Sequence, residues 1–580
     1  MTFTFLSHPV TQKTRRVLRR IVATCAVILA VVLVTTVTVD LGPSLKARAE
    51  KGASDYMRRP MHIGRLSVRL WMGRFVLEDV VIDGLPGNRP FLVAKTIDIS
   101  MPWSTLFTGR VVFDAVEMSD WDMYVESFPD GRHNMPRFTP DTPREPSAWT
   151  TTMQYVRAQR GETTYVDHGT PWSVVARNMD ILIARPNQEY RGTATFSNGT
   201  VAIQNYVPMR ADMTSSFLVE DGKVIFDELE LLTDGARSDL TGVVDMRRWP
   251  EQTYQVHSRV DFPRMREIFF ANDTFSLVGE GDFRGTFHLF REVVNGIART
   301  GRELKGTFTS ASLGVNAYRF SDFRGSVLWV PERLHVTDAS ASLYGGTSSF
   351  TYLMEPLHVP GVRTATFDAA YQDVDLTEVG NFLELEGIRV SGRASGRNLL
   401  QWPLGRFAEH RGDGSIQFDA PPGVATMTRE MLASHLDAAA GRSRRWGPFD
   451  NRLPPEPVPI RGVLTYAYGP EWVDVAPSYI ATPESYVEMD GRTAYGDRSR
   501  MNFHVTSADW QESDRMFAGV LTAFGSRTTV IDIGGYGTFD GGMVNSFRRP
   551  RIEGRFKGEQ MRAFDVVWGS VPGDAIIEDS

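Results

Sequence analysis

The segment Trp121-Asp122-Met123-Tyr124-Val125-Glu126 places Trp121, Met123 and Val125 on one side of an extended chain, with Asp122, Tyr124 and Glu126 on the other. A period of two marks a strand with one apolar and one polar face. The same alternation surrounds it, in residues 75–83 (FVLEDVVID), 93–101 (VAKTIDISM) and 110–118 (RVVFDAVEM). Asp83-Gly84, Phe107-Thr108-Gly109 and Asp130-Gly131 stand near these runs as turn signals. Spacing this regular predicts an antiparallel meander.

The rest of the 580 residues agrees with a mainly β chain. Aromatic residues make up 11%, which favours strands over helical bundles. At 42% hydrophobic the chain is too apolar to be mainly disordered. It is too long for one compact core, so several domains or a repeat array are expected. A net charge of -7 argues against a nucleic-acid partner, which would call for a basic face. The single cysteine excludes a disulfide scaffold and any multi-cysteine metal cluster.

Residues 21–39 (IVATCAVILAVVLVTTVTV), with Ile21 and Val39 at its ends, form an uncharged run of 19 residues. As a helix this run is about 28 Å long, close to the hydrocarbon core of a bilayer. It is longer than the apolar region of a cleaved signal peptide, so a single transmembrane anchor is expected. Lys13, Arg15, Arg16, Arg19 and Arg20 abut its start; Lys46, Arg48, Lys51, Arg58 and Arg59 follow at a distance. The denser N-terminal set places the N-terminus in the cytoplasm and residues 41–580 across the membrane.

The expected organisation is a basic tail (1–20), the anchor (21–39), a first group of strands (40–128), a Pro-rich loop (129–148), strand repeats (149–419), a Pro-rich insertion with a helix over 428–440 (420–459), and further repeats (460–580). The repeat is carried by Asp261, Asp375 and Asp509, each closing an alternating segment and followed by a large apolar residue. Short helices are expected at 264–270, 377–382 and 511–517, with these aspartates as their caps.

An apolar sheet face must be covered by a second sheet, a partner or a ligand. At roughly 13 residues per strand and turn, up to about 40 strands follow the anchor, and open sheets beyond about ten strands curl. The expected fold is therefore a long, curled antiparallel β-groove with short helical insertions, apolar inside. Its candidate lining is Trp121, Met123 and Val125; Phe283, Phe287 and Leu289; and Phe503 and Val505.

The anchor followed by His62-Ile63-Gly64-Arg65-Leu66-Ser67-Val68 and by residues 75–84 resembles the AsmA-like/TamB superfamily. So do Gly131-Arg132-His133-Asn134-Met135-Pro136, the Val374-Asp375-Leu376 element, and residues 552–565 (IEGRFKGEQMRAFD). The resemblance spans most of residues 15–570. It implies an inner-membrane protein of a diderm bacterium that projects a repeating β-groove into the periplasm. It also implies bridge-like phospholipid transport toward the outer membrane and a role in outer-membrane integrity. Longer TamB-like members carry a closing domain that has no evident counterpart before Ser580, so two alternatives stand: a fragment, or a short member that needs an outer-membrane partner protein at its far end.

The sequence has no His-Glu-x-x-His pair, no Walker loop and no Gly-x-Ser-x-Gly elbow. Gly534-Gly535-Tyr536-Gly537 sits in a strand context rather than opening a helix. Asp373-Val374-Asp375 reads as a cap rather than a metal pair. No catalytic activity, metal or cofactor is expected. Besides lipid conduction, two functions fit: a periplasmic scaffold whose free sheet edge templates outer-membrane protein strands, and, less well, a glycan-binding β-sandwich.

Overall fold

The computed structural model describes residues 20, 22–27, 30, 42–69, 72–102, 110–136, 150–271, 273–294, 297–359, 361–382, 389–442, 457–494, 499–523, 530–546, 549–564 and 566–578. Most of the expected anchor, much of the Pro-rich loop and residues 443–456 of the insertion lie outside these. Residues 22–27 are helical. No described helix is long and apolar enough to cross a membrane.

The chain is mainly β and divides into two compact units, residues 1–257 with 287–302, and residues 258–286 with 303–580. The first unit opens with helix α1 (Gly42–Met57). Its strands are β1 (Met61–Arg69), β2 (Arg74–Ile82), β3 (Leu92–Ser100), β4 (Arg110–Phe113), β5 (Ala115–Ser127), β6 (Thr150–Met153) and β7 (Tyr155–Asp167). They continue as β8 (Trp172–Ala184), β9 (Tyr190–Ile203), β10 (Met209–Glu220), β11 (Lys223–Thr233), β12 (Ala236–Asp245) and β13 (Gln252–Asp261). Then come the two longest strands, β14 (Leu277–Val294) and β15 (Ile297–Val315), whose segments 287–302 belong to the first unit.

The second unit holds α2 (Phe262–Phe269) and strands β16 (Tyr318–Trp329), β17 (Leu334–Leu343), β18 (Gly346–Glu355) and β19 (Thr364–Asp375). Helix α3 (Leu376–Phe382), β20 (Val390–Ser391), β21 (Arg393–Pro403), β22 (Arg411–Asp419), α4 (Leu432–Ala440), β23 (Val458–Pro459) and β24 (Arg461–Gly469) follow. The described chain ends with β25 (Trp472–Ala481), β26 (Ser485–Ala494), β27 (Arg500–Ser507), α5 (Trp510–Ala523), β28 (Gly534–Ser546), β29 (Arg549–Ala563) and β30 (Val566–Glu578).

Antiparallel pairing of successive long strands is the rule, as the alternation requires. One exception corrects the simple meander: β5 and β7 are parallel. The chain between them carries the Pro-rich loop and returns to the same end of the sheet, which a parallel pair requires. Residues 110–118, expected as one strand, are broken at Asp114, whose N–H binds the Ser100 carbonyl at 2.9 Å. Before the break, β4 pairs in parallel with β6; after it, β5 runs on through Ser127.

A second correction concerns Glu126. The alternation places it on the polar face, yet it is buried. Its carboxylate accepts from Asn88 Nδ2 at 2.7 Å, and its N–H donates to Asn134 Oδ1 at 2.9 Å. Asn134, fully buried, is part of the Gly131–Pro136 segment and donates from Nδ2 to the Tyr124 carbonyl at 2.7 Å. The Asn88 bond replaces part of the water that a buried carboxylate loses, and Asn134 pairs the backbone beside it.

The repeated aspartates do cap helices. Asp261 accepts from the Arg264 N–H at 2.8 Å at the start of α2. Asp375 accepts from the Thr377 N–H at 2.9 Å beside α3, and Asp509 from the Gln511 N–H at 3.1 Å beside α5. Asp373, the other half of the Asp-x-Asp pair, has φ +54° at a register shift in β19, so it is a bulge residue. In the insertion, a 3₁₀ turn at Arg429–Met431 precedes α4, which shortens the helix expected over 428–440.

Cross-strand ion pairs lie on the exposed side of strands in each unit. Arg160 grips Asp120 with both arms at 2.8 and 2.9 Å, bridging β7 and β5. In the second unit Arg397 Nε donates to Asp368 Oδ1 at 2.8 Å, bridging β21 and β19. Such exposed pairs contribute little stability and mainly hold strand register.

Candidate functional site

The candidate site is the apolar lining of each unit. In the first, Ile63 and Leu66 of β1, Leu77 and Val80 of β2, Ala94 of β3, Trp121 of β5 and Ala158 of β7 form one buried cluster. Met57, Ile82, Phe91, Val125 and Tyr165 form the next, with Met123, Trp172 and Trp249 packed on it. Rings extend this lining strand by strand. Trp249 meets Tyr165 at 5.8 Å between centroids, Tyr165 meets Trp172 at 5.1 Å, and Trp172 meets Phe287 at 6.3 Å. Phe287 then meets Tyr254, which meets Phe226, which meets Phe217. Trp172 on β8 and Phe287 on β14 are six strands apart in the chain. Their contact means that the strands of this unit roll around their apolar side.

The second unit repeats the device. Phe308, Phe323, Phe350 and Phe367 stand in a row with centroids 4.7, 5.3 and 5.0 Å apart, the middle pair stacked and the outer pairs tilted. The loop after α2 closes back on the end of β21, seven strands later: Asp273 accepts from the Phe407 N–H at 3.1 Å, and Phe275 contacts Trp402 and Phe407. A polar patch interrupts this lining. Tyr466 donates to Asn398 Oδ1 at 3.1 Å, and Asn398 Nδ2 donates to the Tyr468 hydroxyl at 3.0 Å. Burial pushes the Tyr466 phenol up to about 12, with Tyr468, Tyr318 and Asp413 adding to the shift. Burial likewise raises Tyr371 and Tyr468, so all three remain neutral hydroxyls at physiological pH.

Glycines seat many of these rings. A Cβ on Gly161 would lie 2.0 Å from the Trp121 ring, and one on Gly192 would lie 2.5 Å from Phe217. In the second unit Gly414 lies under Tyr466 and Gly554 under Phe539. A ring laid flat over a cross-strand glycine covers backbone that no side chain would otherwise shield.

The eight residues singled out in the sequence fall into two kinds. Trp121, Val125 and Leu289 are closed core, at 3%, 4% and 0% exposure. Phe283 is buried as well, and belongs to the second unit, whereas Phe287 and Leu289 of the same strand belong to the first. Met123, Phe287, Phe503 and Val505 keep part of their surface accessible. Phe503 packs edge-on against Phe517 of α5 at 6.2 Å. Val505 faces Val487 and Phe539 across its neighbours. The structure joins Met123 and Val125 in one cluster and brings Phe287 to the same aromatic row through Trp172 and Tyr165.

Sequence reasoning missed Tyr165, Trp172, Trp249, Tyr254 and Phe226, and the four-phenylalanine row. The available signal was the recurrence of Gly-Thr-Phe at 285–287, 306–308 and 537–539. Among the described residues, no group of three or more His, Cys, Asp or Glu side chains is placed to hold a metal ion. Comparison with known protein families, with curated proteins and with solved structures finds no match to this chain.

Proposed function

We propose that this chain is anchored in an inner membrane through residues 21–39 and conducts phospholipids along the apolar lining of its periplasmic strands, as the AsmA-like/TamB resemblance implies. The flow supports outer-membrane biogenesis and integrity, and no catalytic step is involved. One observation carries the reading: rings from strands six positions apart meet, as Trp172 and Phe287 do, while Met123 and Phe287 stay partly accessible on that rolled apolar side.

The physics favours such a lining for this cargo. Exposing an acyl chain of about 16 carbons to water costs roughly 12 kcal/mol, at about 0.8 kcal/mol per CH₂. An apolar wall removes most of that cost while the headgroup stays wet. Such a path needs continuity of lining rather than any single residue.

The test places photo-crosslinking residues at Met123, Phe287 and Val505 of the full chain in cells. Phospholipid adducts at all three sites are expected by mass spectrometry. Adducts at none, with the protein folded and in place, would overturn the proposal. The alternative is a periplasmic scaffold whose free sheet edge templates outer-membrane protein strands. Crosslinks to outer-membrane proteins alone would select it.

A further inference from the structure

The turn between β29 and β30 differs from the other tight turns of the second unit. Asn316-Ala317, Tyr344-Gly345 and Pro470-Glu471 join their strands with mostly polar or small residues. The β29–β30 turn instead exposes Phe564, Val566, Val567 and Trp568, at 76%, 49%, 70% and 59%. No other five-residue window among the described residues exposes four large apolar side chains.

The backbone holds these side chains out. Phe564 has φ +53°. Register runs Arg562–Val567 and then Met561–Gly569, so Trp568 is the extra residue of a bulge. Its indole N–H donates to the Ala563 carbonyl at 3.3 Å, which satisfies its polar edge and leaves the ring outside.

We propose that this tip is a docking peg that inserts into the interfacial layer of a lipid bilayer. Val566 and Val567 are consecutive in a strand, so they point to opposite faces, and both are exposed. A protein partner would cover one face, and a strand added to the edge of β30 would pair its backbone and cover neither. An enveloping apolar layer covers both, with Trp and Phe suited to its boundary with water. In the sequence, Arg562 precedes the apolar group and Asp565 falls within it, so the formal charges of the tip cancel, as suits a zwitterionic surface. The peg therefore binds neutral bilayers and tolerates salt. It does not rest on lipid conduction, since a scaffold would dock in the same way.

The experiment uses the full chain held in nanodiscs, so that residues 21–39 are already occupied. Val567→Cys on a Cys25→Ser background carries an environment-sensitive fluorophore, and phosphatidylcholine vesicles are added. The expected result is a blue shift, quenching by spin-labelled lipids of the added vesicles, and no loss in high salt. Phe564→Ser with Trp568→Ser should weaken vesicle capture about tenfold or more, with the same label still reporting a folded hairpin. A control label at Val278, exposed elsewhere in the second unit, should not respond. A label at Val567 that stays water-exposed with vesicles present would overturn the proposal. So would a blue shift that needs no vesicles and grows with protein concentration, which would assign the tip to a second copy of the chain.

Discussion

The first and last described strands of the two units are both sheet edges, and they are treated in opposite ways. Along β1, helix α1 supplies partners to the outward backbone groups. Glu50 accepts from the Ile63 N–H at 2.8 Å, Ser54 accepts from the Met61 N–H at 2.8 Å, and Lys46 donates to the Gly64 carbonyl at 3.1 Å. Leu45 of the same helix packs on the cluster around Trp121. Along β30 no described helix does this. The strand pairs with β29 on one side, and of its apolar residues only Ile577 joins a core cluster. An uncovered edge is a template for another strand, and natural sheets usually blunt it. The contrast is between an edge whose amides a helix satisfies and an edge that no described helix covers.

The strongest way to break that contrast is to hollow the sealed end. Trp121→Ala should destabilise the first unit by about 3–5 kcal/mol, since the ring is buried among β1, β2, β3 and β7. The loss should appear as a lower unfolding midpoint by chemical denaturation, with hydrogen exchange in the second unit unchanged. A smaller cut removes the cap itself. Glu50→Ala with Ser54→Ala leaves two N–H groups of β1 without their partners. The expected cost is about 2 kcal/mol, together with faster amide exchange at Ile63 and Met61 and concentration-dependent association through the exposed edge. If exchange at those two amides did not change, side-chain capping would not be what seals this edge.

How much of this was legible beforehand depends on the range of the interaction. The Trp121-Met123-Val125 face was legible because alternation is local. The caps at Asp261, Asp375 and Asp509 were legible because an aspartate and the amides it binds lie within three residues. Glu126 was misplaced because its partners come from Asn88 and Asn134, and neither is visible in the alternation of β5. The parallel β5–β7 pair was hidden because a loop between two strands carries no record of the end to which it returns. The glycine seats were hidden for a related reason. Gly161 reads locally as a strand breaker, while the ring that fills its place, Trp121, comes from the neighbouring strand. The lining is thus readable one strand at a time, and the rolling that brings Trp172 to Phe287 is not.

The finest test asks whether helix α5 is fastened near the open edge in the same way that α1 is fastened at the closed one. It is not: Asp514 is buried and Glu512 partly so. Glu512 accepts from the Thr482 and Ser485 hydroxyls, the latter at 3.0 Å. Asp514 accepts from the Asp532 N–H at 2.8 Å and from the amides on either side. Burial is the largest influence on both and raises them above the ordinary carboxylate range, with the hydrogen bonds opposing it. A carboxyl raised in the folded state favours folding when protonated. That contribution is fully present below the ordinary carboxylate pKa and is lost as pH rises through the raised value. Acidification from neutral pH down toward the ordinary carboxylate range should therefore increase exchange protection in α5, while exposed pairs such as Arg397–Asp368, whose carboxylate its arginine holds low, stay intact over that interval. Glu512→Gln with Asp514→Asn should flatten the response, because an amide keeps the shape without the titration. A pH response that survives both substitutions would mean that some other group, and not these carboxylates, governs how α5 is held over β26 and β28.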